Sequence, residues 1–196
     1  MNQTILVDHP GGIDTSLSRG TIVSDAVMTR RAVRAFSNRP VPKDVLSTIM
    51  DKARFAPSGC NFQPWEATIL AGEPLQELFE KIARTPPQDP VEYVIQPADL
   101  PAEYLARLAE NGQRQYAAEG IARDDAEGRR EFAMRNFKAF GAPALLLCYL
   151  PRVMGPPQWS DVGMWLQTVM LLLREEGLDS CPQESLSLYG KLIKDH

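Results

Sequence analysis

The chain has 196 residues, the length of one domain with a substantial core. Its 21 basic and 25 acidic residues give a net charge of −4, which argues against nucleic acid as a main partner. Three cysteines without metal-ligand spacing favour a reducing, cytoplasmic location over a disulfide framework. Because the two histidines, His9 and His196, both lie near the termini, no metal site is predicted.

The N-terminal 20 residues lack the basic region and the apolar core of a secretory signal. They are predicted to form a flexible tail (1–20), followed by a single domain over 21–196. The most apolar run, 162–173, contains Gln167 and is too short to cross a bilayer, so no membrane association is predicted.

The first predicted elements are two helices and a strand. A short helix runs from Thr21 or Ser24 to Arg30. Pro42 begins a second helix at the position that proline tolerates best. A strand follows over 66–71. The inward side chains of the first helix are Ile22, Ala26 and Val27, and the apolar stripe of the second is Val45, Leu46, Ile49, Met50 and Ala53.

The middle of the chain is predicted to be helical around one long loop. A helix over 74–83 leads into the loop 85–101, which carries five prolines. Loops of this length are often functional lids or partner-wrapping segments. Two charged helices, 103–118 and 124–140, follow a helical pattern with solvated faces.

The last third of the chain is more apolar. The run 144–150 between two prolines predicts a buried strand, and the helix 160–176 is apolar nearly all round. Such a helix must be buried on every side, which places it at the domain centre or in a subunit interface. A short strand over 178–181 and a helix from Ser185 to the end complete the prediction.

Two short segments have the residue types of an anion site and a polar ring site. Three guanidinium groups, from Arg30, Arg31 and Arg34, lie within five residues, and a guanidinium grips phosphate with two parallel donors. The loop that starts at Pro57 contains small residues and Asn61, so that backbone N–H groups and an amide can approach a flat ring closely. Taken singly, the first is commonly a solvated helix end and the second a turn.

The order of these segments resembles the nitroreductase family of FMN-dependent oxidoreductases. The family shows an Arg-Arg-Ser-x-Arg-x-Phe motif, and this chain has Arg-Arg-Ala-Val-Arg-Ala-Phe at 30–36, with Ala32 in place of the serine. Pro-Ser-Gly-Cys-Asn-Phe-Gln-Pro-Trp at 57–65 and Gly-Leu-Asp-Ser-Cys-Pro-Gln-Glu at 177–184 match two further motifs. The middle of the chain is similar to the nitrobenzoate-reductase-like branch. The resemblance implies a further C-terminal segment, including a basic pair near the phosphate, that the given sequence does not contain, so that either the sequence is a fragment or the protein has lost this segment.

The resemblance implies an α+β fold with a central, mainly antiparallel sheet flanked by helices. It also implies a homodimer, with a long buried interface helix and with flavin sites between the subunits. The FMN-binding residues it implies are Arg30, Arg31, Ala32, Arg34, Pro57, Ser58, Gly59, Asn61, Pro182, Gln183 and Glu184. Arg34 would face the N1/O2 edge of the flavin as electrostatic support, and Pro57 to Gly59 would come from the partner. No side chain is assigned as catalytic, because flavin N5 carries the chemistry. Trp65 is interpreted as a core anchor.

The implied activity is an NAD(P)H oxidoreductase that reduces nitroaromatic or related electron-poor aromatic substrates by ping-pong hydride transfer through flavin N5. Phe137 and Phe140 are candidates for stacking on the substrate, with a core role as the alternative. Quinone or enone reduction, flavin reduction and reductive dehalogenation remain open within the family. A non-catalytic flavin-binding or partner-binding remnant is the alternative of another class. The sequence shows no dinucleotide fingerprint that separates NADH from NADPH.

Overall fold

The computed structural model of the chain describes residues 23–196, so the tail predicted over 1–20 and Ile22 lie outside the described residues. Chain contacts divide the protein into two compact units. The described part of the first unit comprises 23–76 and 141–182, and the second comprises 77–140 and 183–196. Nothing in the structure tests the prediction of a single domain over 21–196.

The helices and strands follow the predicted order. The α-helices are α1 (Val23–Thr29), α2 (Lys43–Ala53), α3 (Glu73–Arg84), α4 (Ala102–Ala118), α5 (Ala126–Met134), α6 (Pro156–Glu175) and α7 (Gly190–Lys194). The strands are β1 (Glu66–Ala71) and β2 (Ala144–Tyr149), and short 3₁₀ helices cover Gly59–Asn61, Arg135–Gly141 and Ser185–Tyr189. The helices and the antiparallel sheet agree with the predicted α+β class.

The sheet of the first unit is a two-stranded antiparallel ladder. Its register pairs Glu66 with Tyr149 at one end and Ala71 with Ala144 at the other. The strand predicted over 178–181 is wrong, because the backbone there forms an isolated parallel bridge, between Ser180 and Ala32. Pro182 has no N–H to donate, and it ends the segment before a longer ladder can form.

The core of the first unit lies between α2 and α6. Ile49 and Ala53 on α2 are almost fully buried, as their spacing predicts, and they pack with Trp165 and Val169 of α6. The Trp65 ring stacks on Trp165 with the centroids 6.1 Å apart and the planes 9° from parallel. This confirms the interpretation of Trp65 as a core anchor.

The helix predicted over 124–140 is shorter than expected. Asp125 caps its N-terminus by accepting a hydrogen bond from Gly128 N at 2.8 Å, but α5 ends at Met134. The Asn136 amide donates to the Ala133 carbonyl at 2.9 Å and so competes with the backbone for a helical acceptor. Ala139 and Phe140 then adopt left-handed backbone angles, which prevent the right-handed helix from continuing.

α6 begins earlier than predicted, at Pro156, where Gly155 N donates to the Gln158 side chain at 3.1 Å. Within one chain the helix is not buried on every side: Trp165 is 3% exposed, whereas Met164 is 40% exposed. The predicted inward side of α1 is also only partly right, because Ala26 is buried and Val27 is exposed.

The C-terminal helix predicted from Ser185 is divided into the 3₁₀ helix Ser185–Tyr189 and the short α7. Among residues 23–196, no helix is both long and apolar enough to span a membrane.

Candidate functional site

The arginine segment begins where α1 ends. Arg30 N still donates to Ala26 O at 3.0 Å, and the next residues leave the helix. Arg31 is exposed, and its Nη1 donates to the carbonyl oxygens of Met28 at 2.6 Å and Arg30 at 2.9 Å. Arg31 therefore binds helix-end carbonyls in this structure. Arg30 and Arg34 are half-buried.

Among residues 23–196, neither Asp25 nor Asp51 forms an ion pair with Arg30. Arg34 Nη1 donates to Ala32 O at 3.3 Å, a contact that helps to orient the guanidinium. Among residues 23–196, the charge of Arg30 is therefore not offset by either of these two acids.

The backbone joins the arginine segment to the segment 178–182. Ala32 and Ser180 form a parallel bridge, and Val33 N donates to Ser180 O at 3.2 Å. Val33 is 2% exposed and fixes the segment to the interior. Two motifs that lie about 150 residues apart in sequence thus become neighbours.

The two half-buried arginines also act on the Cys181 thiol. Burial raises the pKa of the Cys181 thiol, and the positive charges of Arg34 and Arg30 act in the opposite direction and lower it. Both guanidinium groups therefore lie within electrostatic range of the Cys181 sulfur. An anionic group bound beside Cys181 would meet two cations.

A buried ion pair stabilises the segment 178–182. The Arg174 side chain is 2% exposed and the Asp179 side chain 7%, and Arg174 Nη1 donates to an oxygen of Asp179. Arg174 Nη1 also donates to Leu178 O at 3.4 Å. This pair fixes the turn after α6, which leads directly into Ser180, Cys181 and Pro182.

In the first unit, Ser180 Oγ is buried and has no hydrogen-bond partner among residues 23–196. The same holds for Gln183 Oε1 in the second unit. Buried polar atoms are nearly always satisfied, so an unsatisfied atom calls for a ligand, a water or a partner group. Together with the half-buried Arg30 and Arg34, the hydroxyl of Ser180 provides the kind of donor set that a phosphorylated polar cofactor such as FMN requires. The residues of this region therefore fit the cofactor.

The loop 57–63 is compact and strained. Ser58 Oγ accepts from Gln63 N at 2.9 Å, Ser58 O accepts from Asn61 N at 3.0 Å, and Asn61 Oδ1 accepts from the Gln63 amide at 3.1 Å. Cys60, Asn61 and Gln63 have φ values of 52°, 55° and 48°, a region that side chains other than glycine rarely adopt. Residues held this way cluster at functional sites.

The aromatic candidates lie in the second unit. Phe137 is half-buried and meets the Tyr189 ring edge to face at 5.5 Å. Phe140 is 6% exposed and lies 6.3 Å from Phe132, with the Arg135 guanidinium 6.0 Å from its centroid. Phe140 therefore packs mainly as a core residue in this chain, and the substrate role of both rings stays a prediction.

Comparison with known proteins decides the family. The sequence matches the nitroreductase family over residues 27–196. The chain belongs to the nitroreductase family. It is 39% identical over 175 residues to 4-nitrobenzoate reductase of Pseudomonas putida, a match that covers 87% of this chain and 76% of that protein.

Solved structures support the family fold. The FMN and NADPH-dependent nitroreductase NfnB from Sphigopyxis sp. strain HMH is 43% identical, with a TM-score of 0.84 over 89% of this chain and 80% of that chain. The FMN-dependent nitroreductase NfnB from Mycobacterium smegmatis in complex with NADPH is 29% identical, with a TM-score of 0.80 over 88% and 78%. The predicted family and the nitroreductase-like fold are confirmed, and the predicted FMN-dependent oxidoreductase class agrees with both of these proteins.

Three supporting residues of this nitroreductase-family chain were not predicted from the sequence. Arg174 and Asp179 support the segment 178–182, and Asp161 on α6 accepts a hydrogen bond from Gly59 N at 3.1 Å. The sequence did contain one indication, a charged residue inside an apolar helix. Burying such a charge without a partner costs free energy, so a partner is expected. The three cysteines are free thiols, and Cys60 is exposed.

Proposed function

We propose that this chain is an FMN-dependent NAD(P)H oxidoreductase that reduces nitroaromatic or related electron-poor aromatic compounds. The carrying observation is the backbone bridge between Ala32 and Ser180, which brings the arginine motif and the segment 180–182 together. Family membership supports the reaction class, and the named activity of the Pseudomonas putida relative supports the nitroaromatic substrate.

In this proposal, the arginine segment holds the charged parts of the cofactor. Arg30 binds the phosphate, Arg31 contributes to the ribityl and phosphate region, and the Ala32 N–H donates nearby. Arg34 faces the N1/O2 edge, where a fixed guanidinium stabilises developing negative charge by about 3 kcal/mol. The half-buried position of Arg30 and Arg34 supports these roles, because partial exclusion of water strengthens a charge interaction.

The remaining contacts come from two other segments. Asn61 bonds the polar edge of the ring, and Pro57, Ser58 and Gly59 approach from the partner subunit. Pro182, Gln183 and Glu184 lie against the ring, with a backbone N–H near N5. When bound, FMN would supply the hydride chemistry between NADH or NADPH and the second substrate, in a ping-pong exchange through N5.

We propose that the protein acts as a homodimer. Several large apolar side chains of the first unit are exposed in the single chain: Val23, Val27, Met28, Phe55, Phe62, Trp159 and Met164. Where such side chains form one contiguous patch, that patch is typical of a surface that another protein covers. A second copy would also bring Pro57 to Gly59 to the flavin of its partner, so the dimer completes the proposed site.

The proposal is tested by the visible absorption spectrum of the purified chain with FMN. We expect a yellow dimer whose flavin bands bleach when NADH or NADPH is added without oxygen, and recover when 4-nitrobenzoate is then added. Light scattering measures the mass of the same sample. A chain that stays colourless and cannot be reconstituted with FMN would contradict the proposal, and bleaching without recovery would contradict the nitroaromatic substrate.

A further inference from the structure

Asp161 is the charged residue of α6 that faces the loop 57–63. It is 4% exposed, and its Oδ1 accepts a hydrogen bond from Gly59 N at 3.1 Å. A Cβ built on Gly59 would lie 3.8 Å from Asp161 Oδ2, so both oxygens of the carboxyl group face the same residue of the loop. The Asp161 carboxyl group thus lies directly against the Gly59 backbone.

The other hydrogen bonds of this loop join loop residues to each other. Ser58 accepts from Asn61 N and Gln63 N, Gly59 O accepts from Phe62 N at 3.1 Å, and Asn61 accepts from the Gln63 amide. In the part of the chain that the structure describes, the bond to Asp161 is the hydrogen bond that ties residues 57–63 to α6. A loop with three left-handed residues keeps its shape only when its surroundings hold it.

The use of a buried carboxyl group to hold the loop lowers the stability of the fold. Its Oδ2 is buried and has no hydrogen-bond partner among residues 23–196. A half-satisfied buried carboxyl group destabilises the fold relative to an apolar side chain of the same shape. A leucine would fill the same space without this penalty, but it would not accept the hydrogen bond from Gly59 N, which is the contribution of Asp161 to the loop.

We infer that Asp161 is a positioning residue for the flavin, which acts through the Gly59 N–H to hold Pro57, Ser58 and Gly59 in the binding conformation. The inference rests on the proposed function. Its physical content is preorganisation: without the acceptor on α6, the strained loop samples other conformations, and FMN binding must restore the one it needs. Asp161 touches no reacting atom, so its effect is on affinity and on the environment of the ring.

Two variants of similar size separate this role from a purely structural one. Asp161→Asn keeps an oxygen acceptor for Gly59 N–H and removes the charge, whereas Asp161→Leu removes both. Thr168→Val on the same helix is the control, because the Thr168 hydroxyl donates to Met164 O of its own helix at 2.9 Å and to no other acceptor among residues 23–196. Each variant of the full chain is measured by FMN titration, by thermal unfolding without FMN, and by amide hydrogen exchange of Gly59 without FMN.

We expect Asp161→Leu to melt at or above the temperature of the unmodified chain, to exchange the Gly59 amide faster, and to bind FMN about tenfold to a hundredfold more weakly. At saturating FMN its visible band should shift. Asp161→Asn should stay within about threefold of the unmodified chain in FMN affinity, with the unmodified spectrum, because an amide oxygen replaces the carboxylate oxygen as acceptor. Thr168→Val should change neither the FMN affinity nor the visible spectrum.

Three results would overturn the inference. Asp161→Leu could bind FMN as tightly as the unmodified chain, it could unfold or melt well below it, or Asp161→Asn could lose as much affinity as Asp161→Leu. The second result would make Asp161 a stability residue, and the third would make its charge the active property. An unmodified chain that binds no FMN contradicts the proposed function instead, and the inference about the flavin falls with it. Gly59 exchange still reports in that case whether Asp161 holds the loop.

Discussion

The loops 57–63 and 85–101 both follow a helix and both contain proline, but the protein holds them in opposite ways. The shorter loop is closed by its own hydrogen bonds, is strained at three residues and is anchored on buried Asp161. The longer loop is anchored by Gln88, whose backbone N donates to Leu188 O at 2.8 Å and whose side chain accepts from Lys191 N at 2.8 Å. Its apolar side chains are exposed: Val91, Tyr93, Val94 and Ile95.

The difference matches two tasks of an oxidoreductase. A cofactor that stays bound calls for one preformed conformation, which strain and a buried anchor provide. Substrates that differ in shape call for a surface that can adapt, which a long loop with few anchors provides. We therefore expect changes near the loop 57–63 to act on FMN, and changes in the loop 85–101 to act on the second substrate.

The largest expected effect comes from removing the buried ion pair that stabilises the segment 178–182. Asp179→Ala removes the carboxylate that pairs with the buried Arg174 charge, which should lower the free energy of unfolding by about 3–5 kcal/mol. Urea denaturation followed by circular dichroism measures it. Lys52→Ala is the control, because the exposed pair between Lys52 and Glu175 at 3.0 Å should contribute less than about 1 kcal/mol. Equal losses in the two variants would contradict the importance of burial.

The next effect concerns the charge at the proposed flavin edge. Arg34→Ala should weaken FMN binding about a hundredfold and slow flavin reduction, because a guanidinium in a partly dry site contributes about 3 kcal/mol. Arg31→Ala is the comparison: its side chain bonds helix-end carbonyls, so its loss should cost less than about fivefold. Titration of FMN by fluorescence quenching measures both. Unchanged binding in Arg34→Ala would remove Arg34 from the site.

A paired measurement tests the contrast between the loops directly. Ser58→Ala removes the acceptor of Gln63 N and should weaken FMN binding about fivefold, since water can replace part of this exposed bond. Gln88→Ala should leave FMN affinity unchanged and change the KM for 4-nitrobenzoate by about twofold to fivefold. Steady-state kinetics at saturating FMN measures the second effect. If Gln88→Ala instead releases FMN, the assignment of separate tasks to the loops is wrong.

The last expected effect is on thiol reactivity. Burial raises the pKa of the Cys148 thiol to about 11, whereas Cys60 in the loop 57–63 is exposed. Since the thiolate is the reactive form, Cys148 should be alkylated at pH 8 roughly a hundredfold more slowly than a thiol of pKa 9, and its rate should keep rising with pH up to about 11. Mass spectrometry of tryptic peptides follows both sites, with Cys60→Ser to assign the fast phase. Equal rates would contradict the burial of Cys148.

Local sequence signals were sufficient for much of the fold. The stripe of α2 follows helical spacing and is buried at Ile49 and Ala53, and β2 is an apolar run bounded by prolines. The boundaries of α5 were not predictable in the same way, because Asn136 and the left-handed pair Ala139 and Phe140 end the helix by local hydrogen bonding and packing. The strand expected over 178–181 failed because pairing needs a partner that sequence periodicity does not identify.

The sequence by itself determined the family and the segments of the candidate site, because short motifs with fixed residue types need no knowledge of distant contacts. Only the tertiary structure placed Ser180 beside Ala32 and buried the Arg174–Asp179 pair under the same segment. It alone set Asp161 beneath Gly59, 102 residues apart in the chain. The physical reason is that packing between distant segments determines which residues become partners. A charged residue in an apolar helix indicates that a partner exists, but only the folded chain shows which residue it is.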